Sequence, residues 1–126
     1  MADIQFTDRE IDLMQVLWER GPCLVGEVRA ALKDELAYTT VLTILRTLEA
    51  KGYVGRITEG RGHRYFAAVK QTTAQKSALR HLTRKLFKGS AELLFVHLVS
   101  DQRLSEKQIA NMRKLLLERK SDTGET

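Results

Sequence analysis

The amino-acid sequence predicts a mainly helical chain carrying one small β-hairpin. Three observations predict it. Apolar residues recur at helical spacing through most of the 126 residues. The pattern changes once, after Gly52, to two short segments rich in β-branched and aromatic residues around Gly60-Arg61-Gly62. Leucine stripes then resume on helices too few and too one-sided to bury them.

Each element has its own signal. Thr7-Asp8-Arg9-Glu10 is a capping box, with Thr7 capping the helix and Glu10 reaching back. Ile11, Met14, Leu17 and Trp18 mark the inner face of a first helix, which ends at Gly21-Pro22. Val25, Val28 and Leu32 mark a second short helix ending near Leu36. Val41, Ile44, Leu45 and Leu48 mark a third, stopped by Gly52. Residues 53–59 and 63–69 are the two strands. Leu79, Leu82 and Leu86 form the stripe of a fourth helix, ended or bent by Lys88-Gly89-Ser90. Residues 93–99 are a dense apolar run. Ser105 and Gln108 can cap a last helix with Ile109, Met112, Leu115 and Leu116 on its apolar face.

Three helices followed by a hairpin is the plan of a winged helix-turn-helix, expected over residues 1–71. Residues 72–126 are expected to form a helical dimerisation arm. Its pairing residues are Leu79, Leu82, Leu86, Leu94, Phe95, Leu98, Ile109, Met112, Leu115 and Leu116, since symmetric pairing is the commonest cover for such stripes. The alternative is that the arm folds back on its own domain.

Composition narrows the function. The chain is 43% apolar, enough for one modest core with an appendage. No apolar run of about 18 residues exists to span a membrane. The opening MADIQFTDRE has neither the basic start nor the apolar stretch of a signal peptide. The one cysteine, Cys23, forms no internal disulfide and no multi-cysteine metal site. A cytoplasmic protein without cofactor or metal is expected. No phosphate loop, paired-carboxylate motif or metal-ligand spacing appears, so an enzyme is not expected, although Cys23 with His63, His81 or His97 is the nearest approach to a nucleophile and base.

The net charge of +5 is unevenly placed. Residues 1–37 hold four basic against eight acidic side chains, net −4. Residues 38–70 hold six against two, net +4, and residues 71–126 eleven against six, net +5. A positive field thus begins at the third helix, which permits a nucleic-acid partner without requiring one.

The outer face of that helix carries Thr39, Thr40, Thr43 and Thr47 with Leu42 and Arg46. Threonine is a poor helix former. Short hydroxyl side chains do, however, let a helix approach base edges closely. Their methyls, and Leu42, can meet the thymine methyl, and Arg46 can grip guanine with two hydrogen bonds. Tyr38, Thr39 and Thr40 sit at the helix start, where free N–H groups favour a phosphate. Arg61 and Arg64 at the hairpin tip suit the backbone or minor groove. Lys76, Arg80, Arg84 and Lys88 step by four, with Lys85 flanking them and no acid between residues 60 and 91. That row either faces phosphates or is a solvated face. A helix packed on a protein partner is the competing reading of the third helix.

The stretches TDREIDLMQVLWERG, AYTTVLTILRTLEAKGYV, GRGHRYFAAV, KLFKGSAELLF and LSEKQIANMRKLL together resemble the BlaI/MecI/CopY family, the penicillinase repressors, over residues 6–120. The second stretch is the most specific. The resemblance implies a homodimeric repressor with an N-terminal winged helix and a C-terminal arm. Such a dimer binds a palindromic double-stranded operator, often beside β-lactam-resistance genes. It puts Thr39, Thr40, Leu42, Thr43 and Arg46 on the DNA-reading helix and Arg61 and Arg64 on the wing.

In one branch of that family, a membrane-bound sensor-protease system relieves repression by cleavage of the arm. The scissile Asn-Phe pair falls by spacing at His97-Leu98, where the residues differ, so an interface histidine is the competing reading. The copper-responsive branch uses a cysteine-rich C-terminus, which the ending SDTGET lacks. A ligand-sensing regulator is the remaining alternative.

Overall fold

A computed structural model describes residues 3–123. The order is α1 (Asp8–Arg20), β1 (Cys23–Leu24), α2 (Val25–Ala31), α3 (Tyr38–Ala50), β2 (Val54–Glu59), β3 (Gly62–Ala67), α4 (Gln71–Leu86), α5 (Ala91–Asp101) and α6 (Glu106–Thr123). The sheet is antiparallel in the order β1-β3-β2. This is the mainly helical winged-helix architecture the sequence predicts. The chain divides into two compact units, Met1–His81 and Leu82–Thr126.

Local chemistry sets the helix ends of the first unit. The Thr7 hydroxyl accepts the Glu10 N–H at 3.2 Å, and Glu10 Oε1 accepts the Thr7 N–H at 2.8 Å, completing the expected capping box. At the end of α3, Tyr53 N–H bonds the Leu48 carbonyl and Gly52 N–H the Glu49 carbonyl, each at 3.0 Å. With Gly52 at φ +86° this is a Schellman ending, which requires a residue at ease in the left-handed region. The core gathers Leu13, Met14 and Leu17 of α1, Val25 and Val28 of α2, Val41, Leu45 and Leu48 of α3, and Val54 and Tyr65 of the sheet. Trp18 packs at its edge and donates to the Val69 carbonyl at 2.8 Å. The first turns of α4 belong to this unit too: Ala74 and Ser77 are buried, and Ser77 Oγ accepts the Ile4 N–H at 2.8 Å.

Four expectations need correction. Ile11 is exposed, and the inner face of α1 is instead Glu10, Leu13, Met14, Val16 and Leu17. The helix is turned by its capping end, because Glu10 points inward to Lys51, with Nζ 2.9 Å from both carboxylate oxygens. The second helix ends at Ala31, since Leu32 is already extended at ψ 144°. Leu32 and Leu36 still pack on the core, and Arg29 Nε holds the Leu36 carbonyl at 2.7 Å. Cys23 and Leu24 form a third strand that no local pattern announced. Lys88 lies beyond α4 at φ +53°, so it leaves the row that Lys76, Arg80 and Arg84 share.

In the second unit, α5 carries a cap the sequence did not announce, and the expected cap of α6 is present. Ser90 Oγ accepts the Leu93 N–H at 3.0 Å and starts α5. Ser105 Oγ accepts the Gln108 N–H at 3.0 Å, while Gln108 Oε1 accepts the Ser105 N–H at 2.8 Å. No residue of α5 is buried in the single chain.

Candidate nucleic-acid interface

The third helix presents the face expected of it. Val41, Leu45 and Leu48 are buried and Ile44 half-buried, while Tyr38, Thr39, Thr40, Thr43, Arg46 and Thr47 are exposed. Leu42 is half-buried and packs partly on the core, so only part of its side chain is offered outward. The helix starts at Ala37, which supplies no side-chain cap, and its first turn has no acid. The leading N–H groups of residues 38–40 therefore remain open to an anion.

The threonines are used in a way the sequence did not reveal. Thr43 Oγ1 donates to the Thr39 carbonyl at 2.8 Å, and Thr47 Oγ1 to the Thr43 carbonyl at 3.0 Å. Both hydroxyl protons are committed within the helix. What Thr43 retains for a ligand is its methyl group and oxygen lone pairs.

The wing is the β2–β3 hairpin, paired from Val54↔Ala67 to Glu59↔Gly62, with Gly60-Arg61 as the turn. Gly60 takes φ +59° and Arg61 does not take a positive φ, which matches a type II′ turn with glycine first. Arg61 sits at the exposed tip and has no ion pair or hydrogen bond among the described residues. Arg64, two residues past the Glu59↔Gly62 pair that closes the turn, is held. Its Nε is 2.6 Å from Glu59 Oε2 and its Nη1 2.9 Å from Glu27 Oε1. Glu59 and then Glu27 raise this guanidinium above its ordinary value, while the Leu24 N–H and then the Arg64 charge hold the Glu27 carboxyl below its own.

A cleft of about 520 Å³ opens between α3, the start of α2 and the wing. Tyr38, Leu42 and Arg46 line one wall, and Arg61 and His63 another. Residues from two separate motifs thus reach one concavity. His63 was legible only as part of a charged tip. Its Nδ1 lies 3.5 Å from Thr58 Oγ1. The positive field is narrower than the sequence count suggests. Of the six basic side chains in residues 38–70, Lys51 pairs with Glu10, Arg56 with Glu49 at 3.1 Å, and Arg64 with two carboxylates. Arg46, Arg61 and Lys70 have no carboxylate partner among the described residues, and of these Arg46 and Arg61 line the cleft.

Cys23 is buried and its Sγ lies 3.3 Å from the Gly21 carbonyl; burial, then Glu27, pushes the thiol up, away from a nucleophilic thiolate. Among the described residues, no three His, Cys, Asp or Glu side chains are grouped to hold a metal ion. No described helix is long and apolar enough to cross a membrane.

Comparison with known proteins decides the family. The penicillinase repressor family matches residues 6–118. The chain belongs to that family. The transcriptional regulator BlaI of Mycobacterium tuberculosis is 34% identical over 93% of this chain and 86% of its own. The methicillin resistance regulatory protein MecI of Staphylococcus aureus is 18% identical over 89% and 93%, and the penicillinase repressor of Bacillus licheniformis 22% over 93% of each. Among solved structures, a MarR family protein from Bacillus stearothermophilus matches with a TM-score of 0.51 at 18% identity, covering 97% of this chain and 78% of that one. Transcriptional regulator Tm0710 from Thermotoga maritima matches at 0.50 and 21%, covering 93% and 75%. These last two establish the winged-helix fold of the repressor-family chain and nothing further.

In this repressor-family chain the arm residues stand as follows. Leu79, Leu82, Leu86, Phe95, Leu98, Ile109, Leu115 and Leu116 are exposed, and Leu94 and Met112 are half-buried. Leu93, Val96, Val99 and Leu117, outside the expected pairing set, are exposed as well. His97 and Leu98 lie inside α5, not on an extended segment. The His97 ring rests 5.6 Å from that of Phe87, and its Nδ1 is 3.3 Å from Asp101 Oδ2.

Proposed function

We propose that the protein is a homodimeric transcriptional repressor that reads a palindromic operator in double-stranded DNA. The observation that carries this is the cleft where Arg46 of α3 and Arg61 of the wing, both free of carboxylates among the described residues, line one concavity beside the uncapped start of α3. Family membership gives the same direction. Helix α3 enters the major groove. Its start meets a phosphate, the Thr39, Thr40 and Thr43 side chains lie close to base edges, and Arg46 grips guanine. Arg61 follows the backbone or minor groove. The exposed leucines of α4, α5 and α6 pair with a second copy, and two-fold symmetry sets half-sites about one helical turn apart.

The relatives are named for methicillin resistance and penicillinase control, which supports β-lactam-resistance or related stress genes as targets. The protein works in the cytoplasm, with no enzymatic step. Relief by a membrane-bound sensor-protease system acting at His97-Leu98 would need α5 to open first, because a protease takes an extended strand.

Footprinting of the upstream region with purified protein tests the reading. A symmetric protected site, bound more weakly as salt rises, is expected. Binding insensitive to Arg46→Ala and to salt would overturn it in favour of a protein partner.

A further inference from the structure

Arg64 differs from Arg61, the cation at the wing's tip, in what surrounds it. Its side chain is only 29% exposed, and its guanidinium reaches three separate pieces of chain. Nε donates to Glu59 on β2 at 2.6 Å; Nη1 donates to Glu27 in the first turn of α2 at 2.9 Å and to the Pro22 carbonyl before β1 at 3.4 Å. Glu27 Oε1 also accepts the Leu24 N–H at 2.8 Å, so the same carboxylate closes the start of α2. The β1–β3 ladder that otherwise joins the hairpin to this region is two residues long, Cys23↔Tyr65 and Leu24↔Arg64.

Among the described residues, only two ion pairs tie the hairpin to helices: Arg64 to Glu27 on α2 and Arg56 to Glu49 on α3. Two carboxylates around one guanidinium leave the group with a net negative charge, which repels rather than attracts a phosphate. The two carboxylates take Nε and Nη1, so only Nη2 is left to face a phosphate, and it would do so beside two negative charges. A planar guanidinium fork is what bridging two carboxylates demands, and a lysine cannot reproduce it.

We infer that Arg64 is a positioning residue, which with Glu27 and Glu59 sets the wing against the helix-turn-helix and leaves phosphate contact to Arg61. The inference rests on the DNA-binding reading above, and it replaces the DNA contact that the sequence assigned to Arg64.

The test compares full-length variants on the protein's own upstream fragment at several salt concentrations, with amide exchange of free protein alongside. Arg61→Ala should lower the salt slope by about 0.9 for each protomer that loses a phosphate contact. Arg64→Ala should weaken binding about ten-fold with the salt slope unchanged, and should speed exchange of amides at residues 58–63. Arg64→Lys should not restore the affinity. Glu27→Gln keeps an acceptor for the Leu24 N–H, leaves Arg64 in place and serves if Arg64→Ala does not fold. It should also weaken binding, and joined to Arg64→Ala it should add nothing.

A slope that falls by about 0.9 per protomer in Arg64→Ala would make Arg64 a phosphate ligand and overturn the inference. Tighter binding with a steeper slope in Glu27→Gln would do the same. Should the wild type bind no DNA, the functional reading fails, and the exchange measurement still decides the clamp: unchanged wing exchange in both Arg64→Ala and Glu27→Gln rejects it.

Discussion

Glu10 shows how much one side chain can hold. Its carboxylate is 5% exposed, yet it accepts the Thr7 N–H and lies against Lys51 Nζ. Burial works to raise its pKa, but hydrogen bonds from Lys51 and Thr7, with the lysine charge, outweigh burial and leave it below the ordinary 4.5. A depressed carboxyl gives stability that is present above the unfolded value and lost as pH falls through the folded one. Urea midpoints should therefore hold steady above pH 4.5 and drop below it, and Glu10→Gln should flatten that drop. An unchanged acid limb in the variant would remove Glu10 as its cause. Lys51→Met, which strands the carboxylate, should cost about 1–3 kcal/mol at neutral pH. On the outer face of α3 the threonine geometry predicts a sharper contrast. Because the Thr43 proton is spent on the Thr39 carbonyl, Thr43→Val keeps the outward methyl and should hold operator affinity within about three-fold, whereas Thr43→Ser should lose more. The reverse order in a binding titration would make the hydroxyl the reading group. Arg46→Ala should cost about 1–3 kcal/mol and relax preference at one base pair, measured on a panel of single-substituted operators.

Elements with strong periodicity were legible in the sequence, and those held by partners distant in the chain were not. Helix α3 announces itself because its inner apolar set and its Schellman glycine lie within one stretch. The hairpin does so because two β-rich segments flank a glycine turn. Strand β1 could not announce itself: two residues, Cys23 and Leu24, become a strand only because β3 arrives some forty residues later. The inner face of α1 was misread at Ile11 for a similar reason, since the charge that draws Glu10 inward belongs to Lys51. At the site, the unpaired Arg61 and the clamped Arg64 look alike in the sequence, and only folding brings Glu27 to one of them. Gly55 carries a hidden constraint of the same kind. Its cross-strand partner is Phe66, whose ring lies where a Cβ at position 55 would stand. Gly55→Val should therefore force the ring aside and cost about 1–3 kcal/mol, read as a lower urea midpoint. A midpoint equal to wild type would show that the ring yields freely.

At the scale of the whole molecule the decisive fact is uncovered apolar surface. The sequence of α5, AELLFVHLVSD, is apolar on nearly every side, and a helix of that kind is stable only when enclosed. In the single chain none of it is buried; Leu93, Phe95, Val96, Leu98 and Val99 are all exposed, as are Ile109, Leu115, Leu116 and Leu117 of α6. Exposed apolar side chains in this number are what the proposed dimer would cover, a second identical chain meeting them in an isologous contact. On the proposed reading, dimerisation is a condition of operator recognition, since one winged helix reaches only one half-site. Leu98→Asp puts a charge into that contact at a position whose solvent-facing alternative leaves the winged helix untouched. Sedimentation at micromolar protein should show a dimer for the wild type and a monomer for Leu98→Asp. Affinity for the full operator should fall by at least about a hundred-fold, because the second half-site no longer binds at high effective concentration. Affinity for an isolated half-site should change little. A variant that stays dimeric would take Leu98 out of the interface. A monomeric variant with full operator affinity would separate dimerisation from DNA reading altogether.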